Sequence, residues 1–226
     1  MVAVEPVALI LAIAAGAVAI STIPFGLVAI SYRRRDNGLA YLLLVLGIGI
    51  WNALFIAQLL SLDPEIQGFF LSLSVVGAVL AGLGFLLFAT TASSTANYLS
   101  RRSLYAILGL VAGLDIVFAV SAPLHSFYWR VLGGGLSTIT FSQIEPGLGY
   151  WLHTVFLALL FCGGAALFQD SWWAGPGNRY TLGYFAGGVG TALAIVLSNL
   201  LAPGGMAVGS ILAVSLSTVG WLQASR

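Results

Sequence analysis

The sequence predicts an all-α integral membrane protein: a seven-helix bundle with its N-terminus outside the cell and its C-terminus in the cytoplasm. Of 226 residues, 60% are hydrophobic and only 7% are charged, and the mean hydropathy is +1.04. Soluble domains carry about a quarter charged residues, so this chain cannot form a water-compatible surface. A spanning helix needs about 20 apolar residues. The sequence contains seven such runs, at about 7–31, 39–61, 66–92, 102–122, 148–169, 180–201 and 205–223.

The seven runs take up nearly all of residues 1–226, so we predict a single transmembrane domain and no soluble domain. The segments between the runs contain residue types that end helices. Examples are Asp63-Pro64, Ala122-Pro123 and Gly175-Pro176-Gly177. The longest connection, roughly 123–147, is rich in aromatic residues. That composition favours a loop folded over the outer mouth of the bundle rather than a free linker.

The arginines predict how the chain crosses the membrane. With the N-terminus outside, seven of the eight arginines lie in cytoplasmic segments, and only Arg130 lies outside. Cytoplasmic loops are enriched in basic residues, so this orientation is strongly favoured. Trp129 and Trp151 then mark the outer membrane interface. The cytoplasmic arginines are Arg33, Arg34, Arg35, Arg101, Arg102, Arg179 and Arg226.

Small residues recur four positions apart in three of the predicted helices. The pairs are Gly109/Gly113, Gly183/Gly187 and Gly205/Gly209. Such rows let helix backbones approach closely in lipid. We expect them to pack within the bundle, and a dimer face is the alternative.

Asp115 is the one acidic residue well inside a predicted span. It lies eight residues before Pro123, roughly 12 Å from the outer end of the fourth helix at 1.5 Å per residue. No basic residue is predicted at that depth, so we expect Asp115 to be protonated or hydrogen-bonded to hydroxyl, amide or imidazole groups. A functional group and a structural hydrogen bond are equally consistent with this pattern.

Polar side chains concentrate in the outer half of the predicted bundle. Polar groups in a bilayer are costly, so they are the first candidates for function. We predict a water-accessible site there for a small ligand or a proton. The alternative is a set of structural hydrogen bonds, and two histidines with a carboxylate could also bind zinc. The candidate ligand-binding residues are Asp115, His125, His153, Asn52, Asn199 and Trp151.

Several activities are excluded or unsupported. The sequence has no lysine, so retinal cannot form its Schiff base and no cofactor is predicted. It has no phosphate loop, nucleophile elbow or paired-cysteine motif, so we predict no enzyme. A single cysteine, Cys162, excludes an intrachain disulfide, and the net charge of +1 gives no indication of nucleic-acid binding.

The chain resembles the N-terminal seven-transmembrane sensor region of membrane histidine kinases. The resemblance rests on an arginine-rich first loop followed by Ile48-Gly49-Ile50-Trp51 and on two further motifs. Ser121-Ala122-Pro123-Leu124-His125-Ser126-Phe127-Tyr128-Trp129 is similar to the family's Asn-Pro-x-His exit from helix 4. Gly147-Leu148-Gly149-Tyr150-Trp151-Leu152-His153 is similar to its Gly-x-x-x-Trp-x-His start of helix 5. Ala122 stands where the family tends to have asparagine.

The resemblance implies a sensory bundle in the plasma membrane, with helix 7 as its output. The chain stops at Arg226, before the histidine helix and the ATP-binding domain of a kinase. We therefore expect the lipid bilayer and a separate signalling protein as partners, and a homo-oligomer stays open. A small transporter or channel is the first alternative function, and a membrane scaffold subunit is the second.

Overall fold

Seven α-helices form the bundle, which confirms the predicted all-α class; the direction of the chain across the membrane stays a prediction. The computed structural model describes residues 3–4, 6–32, 38–92, 101–132, 138–139, 144–173, 179–203 and 208–224. Within those ranges the helices are α1 (Pro6–Tyr32), α2 (Gly38–Leu60), α3 (Pro64–Ala92), α4 (Arg101–Val120), α5 (Leu148–Trp173), α6 (Arg179–Leu201) and α7 (Val208–Ala224).

The helix bounds follow the predicted spans closely, with two differences. α4 ends at Val120, and Ala122–Leu124 form a short 3-10 helix, because Pro123 lacks an N–H and disfavours α-helical geometry just before it. α5 continues to Trp173, four residues past its predicted end at 169. The predicted start of the last helix at 205 lies outside the described residues, which resume at Val208.

Five described helices are long and apolar enough to cross a membrane by length and composition, namely α1, α2, α3, α5 and α6. The apolar stretches of the other two are shorter, Tyr105–Val120 in α4 and Val208–Gly220 in α7. Many large apolar side chains point outward, for example Ile10, Leu110 and Leu159. A surface of this kind is suited to lipid rather than to water.

α2 and α3 form the most closely packed helix pair. A Cβ atom built on Gly47 would lie 2.2 Å from the backbone nitrogen of Ala81, and one on Gly77 would lie 2.5 Å from that of Trp51. A Cβ on Gly84 would lie 2.3 Å from the nitrogen of Leu44. Glycine therefore lets the two backbones touch along about two turns of each helix.

Glycines also bring α6 and α7 together, as predicted for Gly183, Gly187 and Gly209, while Gly205 lies outside the described residues. Gly183 faces Val219, and a Cβ on Gly209 would lie 2.5 Å from Cγ1 of Ile195. The prediction for the third pair is wrong, because Gly109 and Gly113 have no atom within 4 Å of a built Cβ. α4 packs only at the edge of the bundle, mainly against α3, so these two glycines face outward.

One half of the bundle interior is filled by aromatic rings. The rings come from the start of α2 and α6 and from the end of α3 and α5, and the Phe168 and Tyr184 rings stack with centroids 4.5 Å apart. The Tyr41 hydroxyl donates to the carbonyl of Ser217, 2.8 Å away, which joins α2 to α7. We call the set the aromatic cluster, and its members are Tyr41, Phe85, Phe88, Phe161, Phe168 and Tyr184.

The described parts of the α4–α5 connection, residues 121–132, 138–139 and 144–147, lie over the opposite end of the bundle, as the aromatic composition predicts. Strand β2 (Trp129–Val131) pairs antiparallel with β4 (Ile144–Pro146), and β1 (Ala3–Val4) pairs in parallel with β3 (Thr138–Ile139). Tyr128 and Trp129 are buried, with 1% and 4% of their surface exposed. Trp129 is therefore part of the protein interior and not the lipid-interface anchor that the sequence suggests.

Candidate functional site

A small cavity lies inside the bundle at the end covered by the α4–α5 loop, where α2, α4 and α6 end and α3, α5 and α7 begin. The space open to the centre of a water molecule is about 50 Å³. That is enough for about three to five waters, at roughly 10–15 Å³ each. We call this space the polar cavity. Its polar lining residues are Gln58, Ser74, His153, Ser198 and Asn199, and its aromatic ones include Trp51, Trp129 and Tyr150.

Asp115 is bound to His153 and Tyr128 beside the polar cavity. Its Oδ2 lies 2.6 Å from Nδ1 of His153, and its Oδ1 accepts a hydrogen bond from the Tyr128 hydroxyl. The Asp115 and His153 side chains are only 11% and 7% exposed. Burial, then the charge of Asp115, raises the pKa of Tyr128 far above its ordinary value, so this hydroxyl stays a donor. A hydroxyl and an imidazole thus satisfy the buried carboxyl group.

His153 has one ring nitrogen that the protein does not use. Nδ1 contacts Asp115, and among the described residues Nε2 has no hydrogen-bond partner. The residue is 94% buried, yet Nε2 is not among the buried side-chain atoms that lack a partner. His153 also lines the polar cavity, and Nε2 is the polar atom of this side chain that its contact with Asp115 leaves unused.

A second hydrogen-bond network joins α5 to α6 at the wall of the polar cavity. The Tyr150 hydroxyl donates to Oδ1 of Asn199 over 2.7 Å. Nδ2 of Asn199 donates to Oγ1 of Thr154 over 2.9 Å, and Thr154 donates to the carbonyl of Tyr150. The amide of Asn199 therefore has a defined orientation, and its contacts hold two cavity walls together.

Asn52 lies one helix turn away, between α2 and α7, and does not line the polar cavity. Its Nδ2 donates to the carbonyls of Ile48 and Ser210, and its Oδ1 accepts from the Ser210 hydroxyl over 3.0 Å. Gly209, the residue before Ser210, lines the polar cavity. The start of α7 is thus tied to α2 directly beside the space.

His125 and Trp151 lie outside the polar cavity. His125 is hydrogen-bonded through Nε2 to the Ser121 hydroxyl, 2.9 Å away, and Nδ1 accepts from the backbone N–H of Phe127. Both ring nitrogens are therefore used locally. Trp151 packs edge-on against Tyr150, with centroids 5.4 Å apart. The structure brings together Asp115, His153 and Asn199, and it leaves the other three candidates around them.

The zinc alternative has no geometric support. Among the described residues, which include Asp115, His125 and His153, no three histidine, cysteine or acidic side chains are close enough to hold a metal ion. Asp115 and His153 are paired with each other, and His125 binds Ser121.

The comparison with protein families identifies the chain. The family described as the N-terminal 7TM region of histidine kinase matches residues 10–220, nearly the whole sequence. The chain belongs to this family. A comparison with curated proteins found no match. As a histidine kinase sensor region, the chain is a multi-pass membrane protein and a membrane sensor module, and the matched region does not include a kinase domain.

Sequence reasoning missed three residues of this sensor region. Tyr150 and Thr154 lie four apart on α5, and Tyr150 is three residues before His153, so helical spacing could have placed them on one face. Tyr128 gives no such signal, because its contact with Asp115 depends on the path of the loop. Ala122, which stands where the family tends to have asparagine, is buried and adds no polar group there.

Proposed function

We propose that this sensor region receives a small ligand, a proton or a membrane signal in its outer half, at the polar cavity, and relays it through α7. The observation that carries the proposal is the unused Nε2 of the buried His153, on a cavity lined by polar groups. Ligand sites typically combine an apolar pocket with a few oriented polar groups. Because this buried site lies next to the start of α7, a stimulus that binds there can change the position of α7.

Binding in the polar cavity can change the packing of several helices. α2, α3, α5, α6 and α7 all contribute lining residues, so a guest contacts five helices at once. Gly209 on α7 packs closely against Ile195 on α6, because a Cβ at position 209 would lie 2.5 Å from Cγ1 of Ile195. A coupling of about 1–3 kcal/mol between occupancy and helix arrangement would be enough to switch a partner.

The aromatic cluster supports a sensor more than a transporter. A transport path needs polar or hydrated groups along the whole membrane thickness. In the described residues, the half opposite the polar cavity is instead filled by packed aromatic rings, such as Phe85 against Phe161 with centroids 5.8 Å apart. Packed aromatic rings therefore lie between a guest in the polar cavity and the opposite end of the bundle.

The remaining parts of the proposal follow from the sequence. The arginine distribution supports an external N-terminus and a cytoplasmic C-terminus, so the polar cavity faces outward. The family of sensor regions to which the chain belongs supports a plasma-membrane location. We propose a non-enzymatic role in which α7 acts on a separate signalling protein. A homo-oligomer is compatible with this role.

Spin-label distances on the full chain in lipid nanodiscs test the relay. Labels at Leu39→Cys on α2 and Thr218→Cys on α7, both outward-facing, are introduced in a Cys162→Ser background. We expect Ala78→Leu, which fills the polar cavity, to shift this distance by about 1–2 Å, the scale of helix shifts in switching proteins. The matched control is Ala53→Leu on the outward face of α2, which should leave it unchanged.

Two outcomes would contradict the proposal. The first is the same α2–α7 distance in the cavity-filling variant and the control, although both are folded by thermal melting. The second is substrate-dependent flux across liposomes that contain the purified protein, because flux would show that the protein is a transporter and not a sensor.

A further inference from the structure

We infer that the ligand of the polar cavity is the proton, and that the Asp115–His153 pair binds it. This inference rests on the proposed function and names the stimulus of the same site. The geometry behind it is a buried carboxyl group that has two hydrogen-bonding partners and, among the side chains that the structure describes, no permanent cation beside it. These hydrogen bonds satisfy the oxygens of the carboxylate but leave its negative charge uncompensated, and Nε2 of His153 can accept a proton that compensates it.

Among the described residues, few charged side chains lie near the Asp115–His153 pair. Arg130 is the one arginine whose side chain the structure describes, and it is 68% exposed beside Glu145, 4.0 Å away. Arg101 begins α4, fourteen residues before Asp115, which is roughly 21 Å along the helix at 1.5 Å per residue. Without an added proton, the carboxylate and a neutral imidazole therefore carry one uncompensated negative charge. With one added proton, the pair is neutral overall.

The other groups that face His153 do not compete for this proton. α4 contributes Asp115, the loop contributes the Tyr128 hydroxyl, and α5 itself contributes Tyr150, whose hydroxyl donates to Asn199. The described cavity walls from α2, α3, α6 and α7 contribute amides, hydroxyls and glycine, none of which titrates. The proton belongs to the pair as a whole, because the two groups are strongly coupled.

The polar cavity provides the path by which a proton reaches His153. It has room for only a few waters, too little for a drug-sized ligand, and water conducts protons along hydrogen bonds. A hydronium ion that arrives through the cavity water transfers its proton to Nε2, which forms an N–H bond and leaves a neutral water molecule, while Nδ1 keeps its hydrogen bond to Asp115. This changes Nε2 from an acceptor to a donor toward the polar cavity walls.

Proton binding also acts on α4. This helix has few buried side chains, among them Ala112 and Ala119, and its inner end is held by a hydrogen bond between Tyr105 and Thr90. Its outer end is held by Asp115. Loss of the proton leaves a buried net charge, which favours water entry and release of that end. Acidification therefore closes α4 onto the bundle, and alkalinisation loosens it.

The test is imidazole ¹⁵N NMR of the full chain in nanodiscs. The chain has two histidines, so the wild-type spectrum contains two imidazoles, and His125→Gln assigns them. We expect the His153 resonances to change from neutral to protonated as the sample is titrated from about pH 9 to about pH 4, an experimental range that brackets the interval of about pH 5–8 in which histidine side chains change charge. We expect Asp115→Asn to lower the proton affinity of His153 about tenfold or more, because it removes the opposite charge.

A His153 spectrum that is unchanged across this range in the wild-type chain would overturn the inference, and this measurement needs no folded variant at Asp115. Equal proton affinity in wild type and Asp115→Asn would overturn the role of the carboxylate. The spin-label distances separate the two proposals. A titrating His153 with no movement of α7 supports proton binding and contradicts the relay. Movement of α7 in Ala78→Leu without titration supports the relay and contradicts the proton.

Discussion

Replacing Gly47 by alanine tests how closely α2 and α3 approach. The added Cβ would lie 2.2 Å from the nitrogen of Ala81, 2.7 Å from its Cα and 2.8 Å from the carbonyl oxygen of Gly77. Non-bonded atoms are best separated by about 3.5–4.0 Å, so the two helices must move apart by more than about 1 Å. The obstacle is backbone, which has no rotamer to change.

The expected loss of stability follows from two opposing effects. Overpacking of an interior costs about 1–3 kcal/mol, and the upper end applies here because backbone meets backbone. Alanine returns about 1 kcal/mol through its better helix propensity. The net loss is about 2 kcal/mol, a roughly thirtyfold change in the unfolding equilibrium at about 1.36 kcal/mol per factor of ten.

Reversible unfolding in mixed detergent micelles, followed by circular dichroism, measures this change. The matched control is Gly109→Ala on α4, where a Cβ meets no atom within 4 Å. We expect the control to equal or slightly exceed wild type in stability, because only the helix propensity changes. If Gly47→Ala and Gly109→Ala have the same stability, the close backbone approach described above is incorrect.

Two further predictions concern the hydrogen bonds around the polar cavity. Tyr128→Phe should reduce the free energy of unfolding by about 1–3 kcal/mol, because it removes a donor to the buried carboxyl group of Asp115; wild-type stability in the same micelle assay would contradict that role. Asn199→Leu should cost about 1–3 kcal/mol, because it leaves buried partners on α5 without their amide. An unchanged melting temperature for Asn199→Leu would show that these bonds do not hold α5 to α6.

Local patterns were sufficient to predict the helices. Seven apolar runs separated by proline and glycine predicted seven membrane-spanning helices. In lipid, an α-helix satisfies all its backbone hydrogen bonds within one segment. α4 shows where this reasoning stops. A row of glycines indicates that two helices can approach closely, but it does not say that a partner is present, and Gly109 and Gly113 have none among the described residues.

The candidate site was predictable in part, for a similar reason. The cost of polar groups in a membrane singled out Asp115, His153 and Asn199 without any knowledge of contacts. Their pairing was not predictable, because Asp115 and His153 are 38 residues apart and meet only through the packing of α4 against α5. Tyr128 reaches the pair through the fold of a loop, which no helical period describes. His125 was singled out by residue type alone, and its bonds turned out to be local.

The aromatic cluster has an electrical consequence. A membrane potential falls mainly across the part of a protein that excludes water and ions, and here that part is the half packed with rings such as Phe168 and Tyr184. Moving one elementary charge through the whole potential changes its energy by about 2.3 kcal/mol per 100 mV. A charge that stops at His153 traverses only a fraction of this drop. Occupation of the site should therefore depend on the composition of the adjacent solution and only weakly on the voltage of the cell.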